Sequence, residues 1–270
     1  MKHRFLWILF SFKKDLKVLF LILSCLLCGH NTLARWDLEF TGVARSYPLA
    51  VFLDIDVGQS LLLWGDDQKG SPFYGYIRPS LTFSTAGTYN GLGAGLEFFP
   101  ISFLGFKAGG ETFSNVGPYL NYDCDLNECE GLYYRSYAEA HLFFGLGPWF
   151  MALRARQSRF QRDEFEGVAF VIPHFAMLSR EPLIDIHSGR VITGLNLSEK
   201  WRMSFYYLYA ESAPRHTDLQ VQRLGTLNLT RKWSEWSLSF GGGLFDSNVI
   251  EREPTVLMVI QYKPYPAAGL

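Results

Sequence analysis

The sequence predicts an all-β chain closed into a single antiparallel transmembrane β-barrel of about twelve strands, with ten or fourteen also open. Three observations carry that expectation. After residue 34, apolar and polar residues alternate with period 2, which puts one set of side chains on each face of a strand. The alternating stretches run for roughly 9 to 14 residues, against about 5 to 6 in an ordinary soluble sheet. Beyond the first 30 residues, nothing offers the ~18 uninterrupted apolar residues of a spanning helix, although 48% of the chain is hydrophobic and 16% aromatic.

The chain divides into residues 1-34, a signal peptide, and residues 35-270, the barrel domain. Lys2, His3, Arg4, Lys13, Lys14 and Lys17 form a basic stretch ahead of the apolar run 18–29, which is too short to span a bilayer. Thr32, Leu33 and Ala34 then place small residues where a signal peptidase reads, so cleavage is expected before Arg35. Removing this segment takes 5 of 25 basic residues and 1 of 26 acidic ones, leaving 20 against 25. That balance argues against nucleic acid as a partner, because a phosphate backbone calls for a basic face. No stretch suggests a cofactor.

Along the barrel the two faces separate cleanly. Trp36, Leu38, Phe40, Gly42 and Ala44 oppose Asp37, Glu39, Thr41 and Arg45, and Trp236, Leu238, Phe240 and Leu244 oppose Ser237, Ser239, Gly241 and Gly243. The polar faces carry charges at mid-strand, notably Arg78, Glu97, Lys107, Arg135, Glu139, His141, Arg154 and Arg156, together with Asp54 and Asp56. Such residues suit the lining of a lumen, where opposite charges pair across the bore and leave little conduction. The run Gly241-Gly242-Gly243 follows no phosphate-loop pattern and suits a place where a large side chain packs across the barrel.

Turn signals give the order of the strands. Tight connections are expected at 85–88, Phe99-Pro100, 145–148, Glu199-Lys200 and Arg231-Lys232, with longer ones near 64–72, 113–131, 177–189, 212–216 and 246–254. Twelve strands then follow if 149–172 is one overlong strand, and both ends of the barrel fall on one side. Apart from 64–72, the long connections fall on the opposite side.

With its leading signal, alternating strands and aromatic strand ends such as Trp64, Trp149, Trp233 and Tyr262, residues 35–264 resemble bacterial outer-membrane β-barrel proteins as a broad class. The resemblance implies a place in the cell outer membrane after cleavage of the signal peptide. It also implies outer-membrane lipid, lipopolysaccharide and the barrel-assembly machinery as partners. One departure is the last residues, Tyr265-Pro266-Ala267-Ala268-Gly269-Leu270, where many such barrels end on an aromatic residue.

Three groups of residues could carry further chemistry. Cys124 and Cys129, five positions apart in an exported chain, are expected to form a disulfide. Around them Asp123, Asp125, Asn127 and Glu130 offer oxygen ligands to a cation such as Ca²⁺, without the spacing or the turn glycine of a calcium loop, so an acidic surface loop is the simpler expectation. His187, Ser188 and Asp185 would be the base, nucleophile and orienting acid of a lipid-acting hydrolase. Neighbours within a strand point to opposite faces, so the histidine and serine could meet only in a loop. The function expected is a narrow pore or structural barrel without catalysis. The alternatives are that hydrolase and a surface binding barrel using the loop 113-131.

Overall fold

The computed structural model describes residues 34–65, 73–115, 124, 129–163, 170–172, 177–212, 219–248 and 251–265. The alternating stretches become strands β1 (Ala34–Ser46), β2 (Leu49–Trp64), β3 (Gly75–Thr85), β4 (Tyr89–Ile101), β5 (Leu104–Asn115), β6 (Gly131–Leu146) and β7 (Trp149–Arg162). A short pair follows, β8 (Phe170–Ile172) and β9 (Met177–Ser179). The series then resumes with β10 (Leu183–Asn196), β11 (Trp201–Ser212), β12 (Gln220–Trp233), β13 (Trp236–Ser247) and β14 (Glu253–Tyr265). Twelve of these strands close into an all-antiparallel barrel in chain order, with β7 beside β10 and β14 beside β1, while β8 and β9 form a separate hairpin. Closure leaves the barrel no unpaired sheet edge, so each of its twelve strands is paired on both sides.

Strands β1 and β14 have their outer termini at the same end of the barrel, here the terminal end. It carries the short connections 102–103, 147–148, 197–200 and 234–235, plus the longer 65–74. The opposite, loop end carries 116–130, 163–182, 213–219 and 248–252 together with the tight turns at 47–48 and 86–88.

Several boundaries differ from those expected. The strand expected over 149–172 stops at Arg162, and the connection expected over 177–189 is already β10 from Leu183. Phe99-Pro100 lies inside β4, where the register shifts between Phe98 and Ile101; proline has no N–H to donate, and an irregularity in the ladder tolerates it. The chain turns instead at Ser102-Phe103. Likewise Arg231-Lys232 belongs to β12, and the turn comes at Ser234-Glu235, with Ser234 at φ 47°. Gly241 and Gly243 sit at close cross-strand approaches to their neighbours on β12, whereas Gly242 meets only ordinary contact. A Cβ at Gly241 would strike the Asn228 amide, and one at Gly243 the Gly225 carbonyl.

Candidate functional site in the lumen

The outer wall fixes which residues are inside. Its exposed side chains include Leu92, Leu96, Phe98, Phe106, Met203, Phe205, Leu227, Leu229, Phe240, Leu244, Met258 and Ile260, an apolar surface far larger than water-soluble proteins present. Exposed tryptophans Trp36, Trp64, Trp149, Trp201, Trp233 and Trp236 all lie at the terminal end. On four strands the outward residue ten positions from the tryptophan is charged: Arg159 from Trp149, Glu211 from Trp201, Arg223 from Trp233 and Asp246 from Trp236. Ten residues at about 3.3 Å each, tilted by about 40°, rise about 25 Å, the height of the apolar band of a membrane barrel.

Above the charged ring the faces exchange character. Arg159 is bound through Nε to Asp185 Oδ1 at 2.8 Å on the outside, while Phe160, Ile184 and Ile186 on the same two strands are buried inside. Between the two rings, the outer wall of β4–β11 holds a shallow groove of about 760 Å³ over Ala108, Ala138, Ala140 and Ala155, with Phe98 and Phe106 on one side and His187, Tyr209 and Glu211 towards the other.

Inside, the β3–β7 wall carries a ladder of alternating charge. Arg78, Glu97, Lys107, Glu139 and Arg156 are successive cross-strand partners, one from each strand. Opposite charges at directly facing positions stabilise a sheet by about 0.2–1 kcal/mol per pair, and here burial binds them into a network. Arg78 donates from Nη1 to Glu97 Oε1 at 2.9 Å and from Nε to Asp37 Oδ1 at 2.9 Å, and it also pairs with Asp56. Lys107 Nζ lies 2.9 Å from the same Glu97 oxygen. At the other end of the ladder Glu139 pairs with Arg156 and has His141 Nε2 2.6 Å from Oε1. A second row joins Glu111 to Arg135, whose guanidinium is also flanked by the Phe113, Tyr137 and Phe160 rings at 5.2–5.7 Å.

The facing wall is made differently. The inward residues of β11–β13 include Ser204, Thr226, Asn228, Ser237, Ser239, Gly241 and Gly243, with an apolar patch of Leu208, Leu224 and Phe245. Strands β7 and β10–β13 place no carboxylate on their inward faces, whereas Arg154, Arg156, Arg162, Arg190, Arg202 and Lys232 all face in. Inward carboxylates Asp37, Glu39, Asp54, Asp56, Glu97, Glu111 and Glu139 belong to β1–β6.

Apolar clusters stand towards both ends on the charged side. At the loop end, Ile172 and Met177 of the β8–β9 hairpin are folded among Tyr89, Phe113, Tyr133, Phe160, Ile184 and Ile186. At the terminal end, Tyr74, Tyr76 and Phe99 pack together with Leu62 and Phe143, the Tyr76 and Phe99 rings stacking 4.7 Å apart.

The sequence candidates distribute over this architecture as follows. Arg78, Glu97, Lys107, Arg135, Glu139, His141, Arg154 and Arg156 face the lumen, and all of these except Arg154 join the pairs just described. Asp185, His187 and Ser188 lie in β10, where Ser188 points inward and is buried while Asp185 and His187 point outward; Asp185 is held by Arg159. The histidine and serine therefore do not converge. Cys124 and Cys129 form a disulfide. Asp123, Asp125 and Asn127 lie outside the described residues; Glu130 accepts a bond at its carbonyl from Arg162 Nη2 at 2.9 Å. Among the described residues no group of ligand-type side chains gathers as a metal site. Sequence reasoning named neither Glu111 nor Arg190. Alternation within β5 marks Glu111 as inward, but Arg190 stood at the expected edge of a strand that begins seven residues earlier.

Closed barrel, apolar outer band and polar interior together define a membrane-spanning β-barrel. No family model matches the sequence, and no curated protein sequence does. Solved structures similar in shape include a loop L8 deletion mutant of OmpT, an outer membrane protein of Vibrio cholerae (10% identity, TM-score 0.45, covering 85% of this chain and 98% of that one). Another is the NanC porin (10%, 0.45, 83% and 98%). A third is the KdgM porin in complex with disordered oligogalacturonate (9%, 0.42, 84% and 98%). At these identities the likeness concerns barrel architecture alone.

Proposed function

We propose that the chain is an outer-membrane barrel of narrow bore, exported by residues 1–34 as a cleaved signal, which passes small solutes slowly or serves the membrane structurally, without catalysis. The observation that carries this is the inward lining of one wall: a paired-charge ladder, with an aromatic and aliphatic cluster towards either end of the barrel. Twelve strands make a barrel wider than the eight-stranded kind that side chains fill, yet narrower than the sixteen-stranded porins. Side chains as long as Arg78, Lys107, Arg135 and Arg156 reach well into such a bore. The outward ring of Arg159, Asp185, Glu211, Arg223 and Asp246 would meet the headgroups of lipopolysaccharide.

Single-channel recording in planar bilayers tests the proposal. Small or absent currents are expected from the unmodified protein, and larger ones when Arg135, Arg154 and Arg156 are all replaced by Ala or when the hairpin apex residues Ile172 and Met177 are both replaced by Ser. Large open-pore currents from the unmodified protein would overturn it.

A further inference from the structure

We infer that the lumen contains a binding site for a small oxyanion, a carboxylate, phosphate or sulfate group, held between Arg154 on β7 and Arg190 on β10. The two residues are directly opposed cross-strand partners on the inward face. Like charges in that position repel and destabilise a sheet. The nearest carboxylates are shared with other bases, Glu139 with Arg156 and His141, and Glu97 with Arg78 and Lys107, so they temper the repulsion from a distance without giving Arg154 or Arg190 a bonded partner. Asp54 lies within electrostatic range of Arg190, but it shares that influence with Arg135 and forms no ion pair with either.

Among the described residues, neither Arg154 nor Arg190 makes an ion pair or a side-chain hydrogen bond, and Arg154 Nε is buried without a partner. On its far side Arg190 faces Leu208, which offers no acceptor.

This is the arrangement an oxyanion completes. Two guanidinium groups present several N–H donors in fixed forks that match the oxygens of a carboxylate or phosphate, and their bonds are charge-assisted. The surrounding protein lowers the dielectric and strengthens the attraction. An approach from the terminal end is also suitable: Arg202 and Lys232 stand near that rim, with Gly194 and Ser204 between them and the site. The inference rests on the proposed function only in requiring that solutes reach the lumen.

Its test uses the purified barrel in detergent, read by the temperature at which heat-modifiable gel mobility is lost, in chloride against inorganic phosphate, sulfate or malonate at equal ionic strength. The oxyanions should raise that temperature saturably, by about 4 °C or more near saturation. Arg154→Gln and Arg190→Gln should each lose the oxyanion response. Arg190→Lys, which keeps the charge, should retain a weakened response. An unmodified protein indifferent to oxyanions would overturn the inference, as would glutamine variants that still respond. The conductance result is independent: large currents with an intact oxyanion response sink only the narrow-bore proposal, and a silent barrel without the response sinks only the site.

Discussion

The wall formed by β1–β6 and the wall formed by β7 and β10–β13 enclose the same lumen by opposite means. The first buries carboxylates and bases together and satisfies them against one another, so that Arg78 alone serves Asp37, Asp56 and Glu97. The second relies on small polar residues and glycines in β11–β13, and its inward charge, including that of β7 and β10, is of one sign only. The difference teaches that a charged lumen is not uniformly a charged lining. One side is a cross-linked electrostatic lattice whose members depend on each other, and the other carries a few bases and no inward carboxylate of its own.

Breaking the lattice should have the largest effect. Arg78→Met leaves buried Asp37 and half-buried Asp56 and Glu97 short of their partner, and removing one member of a buried ion network costs about 3–5 kcal/mol. Thr226→Val, equally buried on the facing wall, should cost far less. Urea titration of the barrel in lipid vesicles would compare them, and similar losses would show that the two walls are not built differently.

The contrast between inside and outside sharpens the picture next. Arg in place of outward Phe205 should destabilise the barrel by about 2–4 kcal/mol if it lies near the bilayer midplane, whereas Arg at inward Ser204, its neighbour in sequence, should be milder. The same titration reads both, and equal losses would reverse the assignment of faces. Smallest of all should be Arg159→Ala, which removes an ion pair to Asp185 that stands in the exposed ring at the loop end. No change in assembly or melting is expected there, because screened pairs contribute little.

Much of this was legible in the sequence for a simple reason. A strand that separates lipid from lumen must alternate, and the alternation at Trp236, Leu238 and Phe240 against Ser237 and Ser239 marks both strand and face directly. It was lost where the rule itself changes. In the part of β10 above the charged ring, Ile184 and Ile186 belong inside with the apolar cap while Asp185 and His187 face out, so the stretch reads as a polar loop. The Ser234-Glu235 turn escaped because it contains neither glycine nor asparagine at its left-handed position. The individual ion pairs were beyond local patterns altogether: Asp37 and Arg78 are 41 positions apart and meet only through the register of three strands.

The most direct test of the account is the accessibility of single spin labels along β13 in the reconstituted barrel, measured with oxygen and with a water-soluble nickel complex. Labels at Leu238, Phe240 and Leu244 should be relaxed by oxygen and shielded from nickel, and labels at Ser237 and Ser239 should show less oxygen and more nickel access. At Asp246, beyond the apolar band, nickel should prevail again. Nickel access at Leu238 and Phe240 equal to that at Asp246 would contradict the membrane-spanning barrel described here.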